Sequence, residues 1–489
     1  MAFTSPSTYR PRKPTMLSRT TLFSLLLLLS LFLLVLLHSP SLPPCSPHTS
    51  SPETNPWSGD LRDVDFSWNS LKLIGHRPPP ATLRIAVFSR KWPIASAPGG
   101  MERHALTLHS ALARRGHHVH VFTSSPPPTE RPSSPRSDFP QLHFLSGPPG
   151  QWRCDEAWTL FEAETRAGGP FDVIHSESVA VFHRWARDVP NLVVSWHGIS
   201  LEALHSGIYQ DLLRAPAEPM TPAFNHSLAQ AIYKVLNEIR FFQSYAHHVA
   251  ISDSTGEMLR DVYQIPSSRV HVILNGVDED QFAPDPALGK AFRAEIGLPD
   301  GASLVMGAAG RLVKDKGHPL LFEAISKLIL RHPNVYLVVA GSGPWAQRYK
   351  DLGSNVIVLG PVQPAKLKAF YNSLDVFVNP TLRPQGLDLT LMEAMQCGKP
   401  ILAPRYPSIK GSIVVDDEFG FTFAPNVAAL LEVLEKVVEE GAKRLEERGR
   451  ACRHYAKSMF TAKKMALAYE RLFLCIKNET FCKYPLGFD

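Results

Sequence analysis

Residues 303–341 read SLVMGAAGRLVKDKGHPLLFEAISKLILRHPNVYLVVAG, and this stretch decides the fold. Ser303–Ala308 and Val335–Ala340 are short apolar runs, and His318–Arg331 between them repeats its apolar residues at helical spacing. A strand, a helix and a second strand in that order make a crossover unit, which joins parallel neighbours and lays the helix on the sheet. The first strand runs out into Ala308-Ala309-Gly310-Arg311 and then Lys316-Gly317. Both cations therefore sit in a loop at the carboxyl end of a parallel strand, where open α/β sheets bind their ligands.

Outward from there the rhythm continues. Val356–Leu359, Val376–Val378 and Pro400–Ala403 read as strands, and Pro364–Asn372, Leu389–Gln396 and Val427–Glu440 as helices. Toward the N-terminus, Leu83–Phe88, His118–Thr123, Asp172–His175, Leu192–Trp196 and His248–Ser252 read as strands. Helical patterns lie between them at Met101–Arg114, Ser178–Ala186 and Leu228–Tyr245. Two such runs imply two doubly wound, Rossmann-like α/β domains facing a cleft, with the boundary near Asn275–Asp300. The Pro-rich 126–135 reads as an inserted surface loop.

The 489 residues are 44% hydrophobic and 20% charged, a globular composition. Much of the net charge of +6 belongs to a tail holding Arg10, Arg12, Lys13 and Arg19 with no acid. No basic stripe interleaved with aromatics follows, which argues against nucleic acid as a partner. Leu22 to Leu37 is an apolar run broken only by serines; as a helix it would span roughly 24 Å. Basic residues precede it, so the sequence predicts a cytosolic tail (1–21), a transmembrane signal anchor (22–37) and a disordered Pro/Ser-rich stem (38–81). A cleaved signal peptide and an organellar transit peptide are the alternatives. The sequons Asn225-His226-Ser227 and Asn478-Glu479-Thr480 fit lumenal exposure, giving a type II membrane glycoprotein of the Golgi or endoplasmic reticulum. Of six cysteines, Cys475 and Cys482 are spaced for a small disulfide loop in an oxidising compartment, and Cys397 reads as a buried thiol.

Four constellations carry candidate chemistry. Gly99-Gly100 before a helix lets a phosphate approach backbone N–H groups, or else is an ordinary turn. Arg311 and Lys316 can neutralise a departing diphosphate, or else form a solvated basic loop. In Gln385-Gly386-Leu387-Asp388-Leu389-Thr390-Leu391-Met392-Glu393 the start of a helix offers backbone donors and Glu393 can accept from ribose hydroxyls. Alternatively, Thr390-x-x-Glu393 is a capping box. His197, in Trp196-His197-Gly198, ends an apolar strand and is either a structural histidine or a cleft residue. Asp63-Val64-Asp65 mimics a metal-binding DxD but lies before the fold.

In order, Gly99-Gly100-x-Glu102-x-His104, His197-Gly198, Ile273-Leu274-Asn275-Gly276-Val277-Asp278, Gly310-Arg311…Lys316-Gly317, Gly341-Ser342-Gly343-Pro344 and Gln385–Glu393 resemble glycosyltransferase family 4, from about Arg84 to Tyr469. The resemblance implies a GT-B fold: an acceptor domain over 82–275, a nucleotide-sugar-binding domain over 276–458, and a C-terminal helix in 459–489 returning to the first domain. It implies a retaining, metal-independent hexosyltransferase-type enzyme with no cofactor, its donor substrate a nucleotide-sugar, UDP-linked by commonness. The acceptor would be a hydroxyl on a glycan, lipid or protein, and front-face attack would need no enzymatic nucleophile.

By the same resemblance Arg311 and Lys316 hold the diphosphate, Glu393 the ribose and backbone near Val362 the base. His197 touches the transferring sugar; Gly99 and Gly100 close over the phosphates. Gln385, Gly386, Leu387, Asp388 and Leu389 belong to the donor-binding loop. One departure stands out: the family's Glu-x7-Glu is Gln385-x7-Glu393 here, with Asp388 where glycine is common. The alternative function is therefore a GT-B protein that binds nucleotide-sugar with little or no turnover. An epimerase fits less well, and no GxGxxG follows either first strand to suggest a dinucleotide enzyme.

Overall fold

The computed structural model describes residues 57–73, 75, 79–94, 99–127, 139–214 and 217–486, all within one compact unit, Thr54–Asp489. The predicted tail, the Leu22–Leu37 span and the stem as far as residue 56 lie outside the described residues, as does Cys45.

Seven parallel strands make the first sheet: β1 Arg84–Phe88, β2 His118–Thr123, β3 Gln141–Phe144, β4 Val173–Glu177, β5 Leu192–Trp196, β6 His247–Ala250 and β7 Val270–Val272. Their order is β3-β2-β1-β4-β5-β6-β7. Six more make the second: β8 Leu304–Ala309, β9 Val335–Ala340, β10 Val356–Gly360, β11 Val376–Val378, β12 Ile401–Pro404 and β13 Gly420–Phe423, in order β10-β9-β8-β11-β12-β13. Each order reverses direction beside its first strand, the switch point at which such sheets open a crevice. Strand residues alternate between layers as a pleat requires: Leu304, Met306 and Ala308 pack outward while Val305 joins the core shared by both domains.

The sequence missed the edge strands β3, β7 and β13: β3 and β13 are short and only partly buried, and β7, though buried, is three residues long, so their hydrophobic signal is weak. It also missed the helices Cys154–Gly168, Ser200–Leu212 and Pro286–Glu295. The helix predicted over Val427–Glu440 runs on to Met459, with a break at Gly441, whose φ of 72° is not helical.

The stem prediction fails from residue 57 onward. Leu61, Val64, Trp68 and Leu71 are buried, spaced three or four residues apart, and Gly59–Asp60 pairs antiparallel with Lys483–Tyr484. Asn69 donates to Met459 O at 2.7 Å and accepts from Leu274 N at 2.9 Å. Proline and serine content averaged over 38–81 hid an apolar repeat at its C-terminal end.

The helix Ala462–Lys477 lies on the first sheet. Met465, Tyr469, Leu472 and Phe473 share a core with Ile85 and Val87, and the Tyr469 hydroxyl meets Ser195 Oγ at 2.7 Å. A disulfide joins Cys475 to Cys482 at the end of this helix. The chain thus passes between the domains twice, near Gly276 and near Thr461, and the two passages pair: Val277 N donates to Phe460 O and Ala462 N to Val277 O, both at 2.9 Å. A Cβ on Gly276 would come within 2.3 Å of Thr461 O, so only glycine permits this contact.

Among the described residues no helix is long and apolar enough to cross a membrane. Val427–Met459, the longest described helix, buries only seven of its 33 residues and keeps a broad polar face.

Candidate functional site

We label the helices that build the site α1 Gly100–Arg114, α2 Ser200–Leu212, α3 Pro286–Glu295, α4 His318–Arg331, α5 Pro364–Asn372, α6 Leu389–Gln396 and α7 Val427–Met459. At the carboxyl ends of β8, β9 and β10 a cavity of about 310 Å³ opens between the domains. Gly99 and Gly100 border it from the first domain. Arg311, Lys316, Val362, Asp388, Leu389 and Glu393 border it from the second.

Glycine geometry shapes this side. Gly310 and Gly341 have φ of 130° and 140°, and a Cβ on Gly341 would sit 1.8 Å from Gly310 O. Gly343 would meet Leu312 O at 2.5 Å in the same way, so the Gly341-Ser342-Gly343 turn is pressed against the β8 loop. Gly317, at φ 73°, starts α4 with its backbone against Pro380 O. The two loops are brought together by close backbone contact, leaving their polar side chains free to face the cavity.

Lys316 Nζ reaches Asp388 Oδ1 at 2.5 Å, and Asn379 Nδ2 reaches the other oxygen at 3.1 Å. Burial alone would raise the Asp388 pKa, but the charge and hydrogen bonds of Lys316, with that of Asn379, hold it below the usual value. Arg311 is two-thirds exposed, its guanidinium 3.7 Å from Asp315. Gly100 has open space where a Cβ would be, at the start of a 15-residue helix. One exposed cation, one anchored cation and the positive end of a helix therefore converge on one space.

Glu393 is 2% exposed and is not a cap. The N-cap of α6 is Asp388, which makes no side-chain capping bond, and Glu393 sits one turn in. Its oxygens take the Arg103 guanidinium and the Tyr371 hydroxyl, the latter at 2.6 Å. Burial and the adjacent carboxylate push the Tyr371 pKa well above its ordinary value, so the phenol stays a donor. Each carboxylate oxygen retains one lone pair for another partner.

His197, Gln385, Gly386 and Leu387 do not border the cavity. His197 Nε2 is bound to Glu177 Oε2 at 2.6 Å. Gln385 is buried, its Nε2 on His205 Nδ1 at 2.9 Å and its carbonyl accepting from Ser252 Oγ at 2.7 Å. Leu387 is buried, its carbonyl 3.5 Å from Asn275 Nδ2. Gly386 makes room for Glu202: a Cβ there would lie 2.6 Å from Glu202 Oε1. Glu202 in turn pairs with Arg383 at 3.1 Å, joining the loop before α6 to the helix after His197-Gly198.

Sequence reasoning missed Arg103, Glu177, Glu202 and Arg383. Glu177 ends β4 fully buried among four histidines. Its Oε1 is 3.1 Å from His109 Nε2 and 3.9 Å from His175 Nδ1, while its Oε2 faces His197 and, at 4.0 Å, His104. Burial would raise its pKa, yet the histidines hold it well below the usual carboxylate range. Burial likewise drives the His104 and His175 pKa values down to about 3. The sequence shows only an acid closing an apolar strand; its partners His104 and His109 lie far along the chain, and the φ of 52° at Ser178 belongs to the structure alone.

Residues 98–281 match Glycosyltransferase Family 4, and residues 291–459 match Glycosyl transferases group 1. The chain is 27% identical over 345 residues to a D-inositol 3-phosphate glycosyltransferase from Xylanimonas cellulosilytica, covering 66% of this chain and 79% of that one. Among solved structures, a sucrose-phosphate synthase from Thermosynechococcus elongatus superposes with a TM-score of 0.63 at 19% identity, over 80% of this chain and 98% of that one. Anabaena HepE in complex with UDP-glucose gives 0.57 at 16%, over 80% and 99%. These likenesses fix the α/β GT-B architecture of two Rossmann-like parallel sheets.

They also correct the expected location. Sequence relatives such as those from Xylanimonas cellulosilytica and Methanocaldococcus jannaschii belong to a bacterium and an archaeon, whose cells have no Golgi or endoplasmic reticulum. Against these relatives the expectation of a type II Golgi or endoplasmic reticulum protein with a lumenal catalytic domain is overturned; no described helix is long and apolar enough to cross a membrane, and Leu22–Leu37 lies outside the described residues.

Proposed function

Because this chain is a glycosyltransferase assembled from a family 4 domain and a group 1 domain, we propose that it moves a sugar from a nucleotide-sugar, UDP-linked, to an acceptor hydroxyl with retention of configuration. The observation that carries this reading is the convergence of Arg311, Lys316 and the Gly99-Gly100 helix start on one cavity that also holds Glu393.

Breaking the sugar–phosphate bond leaves a second negative charge on the terminal phosphate of the diphosphate. Lys316, already fixed by Asp388, and Arg311 meet that charge as it develops, and the α1 N-terminus adds backbone donors from the opposite domain. Each fixed donor of this type is worth about 3 kcal/mol of barrier when water is excluded. Glu393 accepts from the ribose while Arg103 and Tyr371 hold its carboxylate in place, and the Pro361-Val362 backbone borders the base. The acceptor oxygen forms the new bond on the face the diphosphate leaves, and its proton passes to the departing phosphate oxygen. His197, oriented through Nε2 by Glu177, stands outside the donor cavity and would meet the sugar where it extends beyond the diphosphate; Gln385 supports the loop through His205. The charge balance at the phosphates is supplied in this reading by side chains, with no metal ion and no cofactor.

Thermal melting of the protein with UDP-, GDP- and ADP-sugars tests the donor. UDP-sugars should raise Tm the most, since binding to the native state alone stabilises it. Following the product anomer by NMR then tests retention. A Tm that responds only to GDP-sugars removes uridine from the reading, and an inverted product removes front-face transfer.

A further inference from the structure

A second and larger cavity, about 700 Å³, opens in the C-terminal domain and shares no lining residue with the donor cavity. Its walls are two helices. Along α3, Pro286, Gly289, Lys290 and Arg293 recur at the spacing of a single helix face. Along α7, beyond the break at Gly441, Lys443, Arg450 and Arg453 face them across the gap. Cys397 and Lys399 form the floor, at the end of α6 opposite to the one that opens on the donor cavity.

Charge in this cavity is unbalanced. Six cations line it against two carboxylates, and both carboxylates are engaged: Asp375 with Arg293 at 2.8 Å, Glu446 with Arg450 at 3.0 Å. Lys290, Lys399, Lys443 and Arg453 have no ion-pair partner among the described residues. Arg453 Nε is buried with no hydrogen-bond partner at all, an orphan donor next to the cavity. Lys399 Nζ has only Asn372 O, at 3.3 Å, and burial pulls its pKa below the usual lysine value.

The negative end of α6 does not cancel this field by presenting free carbonyls. Gly398, at φ 71°, closes the helix so that Gly398 N donates to Met395 O and Lys399 N to Ala394 O. Cationic side chains facing one another across a single cavity repel unless an anion lies between them. A single carboxylate would leave most of the charge uncompensated, whereas a phosphate offers several oxygens to an arginine fork and to lysines at once. The volume fits a ligand of the size of a sugar phosphate.

We propose that this cavity is a second ligand site, separate from the donor cavity, that takes a compact polyanion of the phosphate class through Lys290, Lys399, Lys443 and Arg453.

Isothermal titration with inorganic pyrophosphate, and in a separate arm with a hexose 6-phosphate, tests it on the full chain carrying Arg311→Ala and Lys316→Ala to silence the donor cavity. One equivalent of at least one probe should bind. Adding Lys399→Gln with Arg453→Gln should weaken it ~10-fold or more, as expected for charge-assisted contacts. Lys290→Gln with Lys443→Gln, both exposed and so harmless to folding, should weaken it ~3-fold, in the range of surface charge contacts. Preference for pyrophosphate identifies an inorganic ligand, and preference for the hexose 6-phosphate a phosphate ester; either supports the site. Absence of binding by both probes in the silenced background, or affinity unchanged by both glutamine pairs, overturns it.

Discussion

The carboxyl ends of the two sheets face the same crevice and are built on opposite plans. On the first sheet the polar groups turn toward one another: Glu177 is sealed among His104, His109, His175 and His197, and the chain of contacts runs on through Ser195 to Tyr469. On the second sheet they turn toward open space, with Arg311 mostly exposed and Lys316 held at its base by Asp388. A buried polar cluster paired largely within itself is rigid, and beyond the unpartnered nitrogens of His104 and His109 it has little left to offer a ligand. A cluster whose backbones press together through Gly310 and Gly341, leaving cations at the edge, is an anion receptor waiting for charge. One side aims a residue; the other binds.

The largest effect should come from removing the receptor's fixed cation. Lys316→Ala is expected to lower kcat/KM by about 10²- to 10³-fold, the range for losing one preorganised donor to transition-state charge. Its Tm should fall only slightly, through loss of the Asp388 pair; a drop larger than that of Glu177→Gln would break the comparison.

Glu177→Gln should show the reverse balance. Removing a buried charge that four imidazoles surround should cost about 3 kcal/mol in chemical denaturation. It should reduce kcat by ~10-fold through misorientation of His197, with donor KM unchanged. Restoration of kcat by Glu177→Asp, or a changed KM for the donor, separates aiming from binding.

Gln385→Glu should do less, below ~3-fold in kcat, because this side chain is enclosed beside His205 and does not border the donor cavity. A gain of 10-fold or more would show that the missing carboxylate limits catalysis.

The smallest and most general effect is the pH profile of melting. His104 and His175 are held neutral down to about pH 3 by burial, whereas unfolded histidines take up protons near 6.5. The unfolded state therefore binds more protons between these values, and stability falls as pH drops from 6.5, by at most about 1.4 kcal/mol per unit per histidine. Glu177, held well below its ordinary pKa, adds to the loss once pH falls below about 4.5. Glu202, whose carboxyl burial raises, opposes it. Tm should be lower at pH 5 than at pH 7, and a flat profile would mean that the histidine cluster is open to water.

What was legible in the sequence follows from what each signal requires. Buried parallel strands and amphipathic helices announce themselves by composition, so β8, β9, α4 and α6 could be placed within a residue or so. The donor cavity was legible for the same reason: Arg311, Lys316 and Glu393 follow strands that could be read, and position follows from topology. Glu177 and Arg103 were not legible because their roles depend on partners 68 and 290 residues away, His109 and Glu393. The ordered segment 57–73 was hidden because it folds against parts of the chain far away in sequence, among them Leu274, the C-terminal helix and Lys483–Tyr484, which local composition cannot anticipate.

The paired passages at Gly276–Val277 and Phe460–Ala462 bear on movement. Two connectors fastened to each other at one point act as a pin, so sliding and twisting of one lobe past the other would break the Val277 hydrogen bonds, while swinging about that point would keep them. The crevice then has a single easy coordinate, opening and shutting like a jaw, and its stroke is greatest at the far rim, where a substrate would enter.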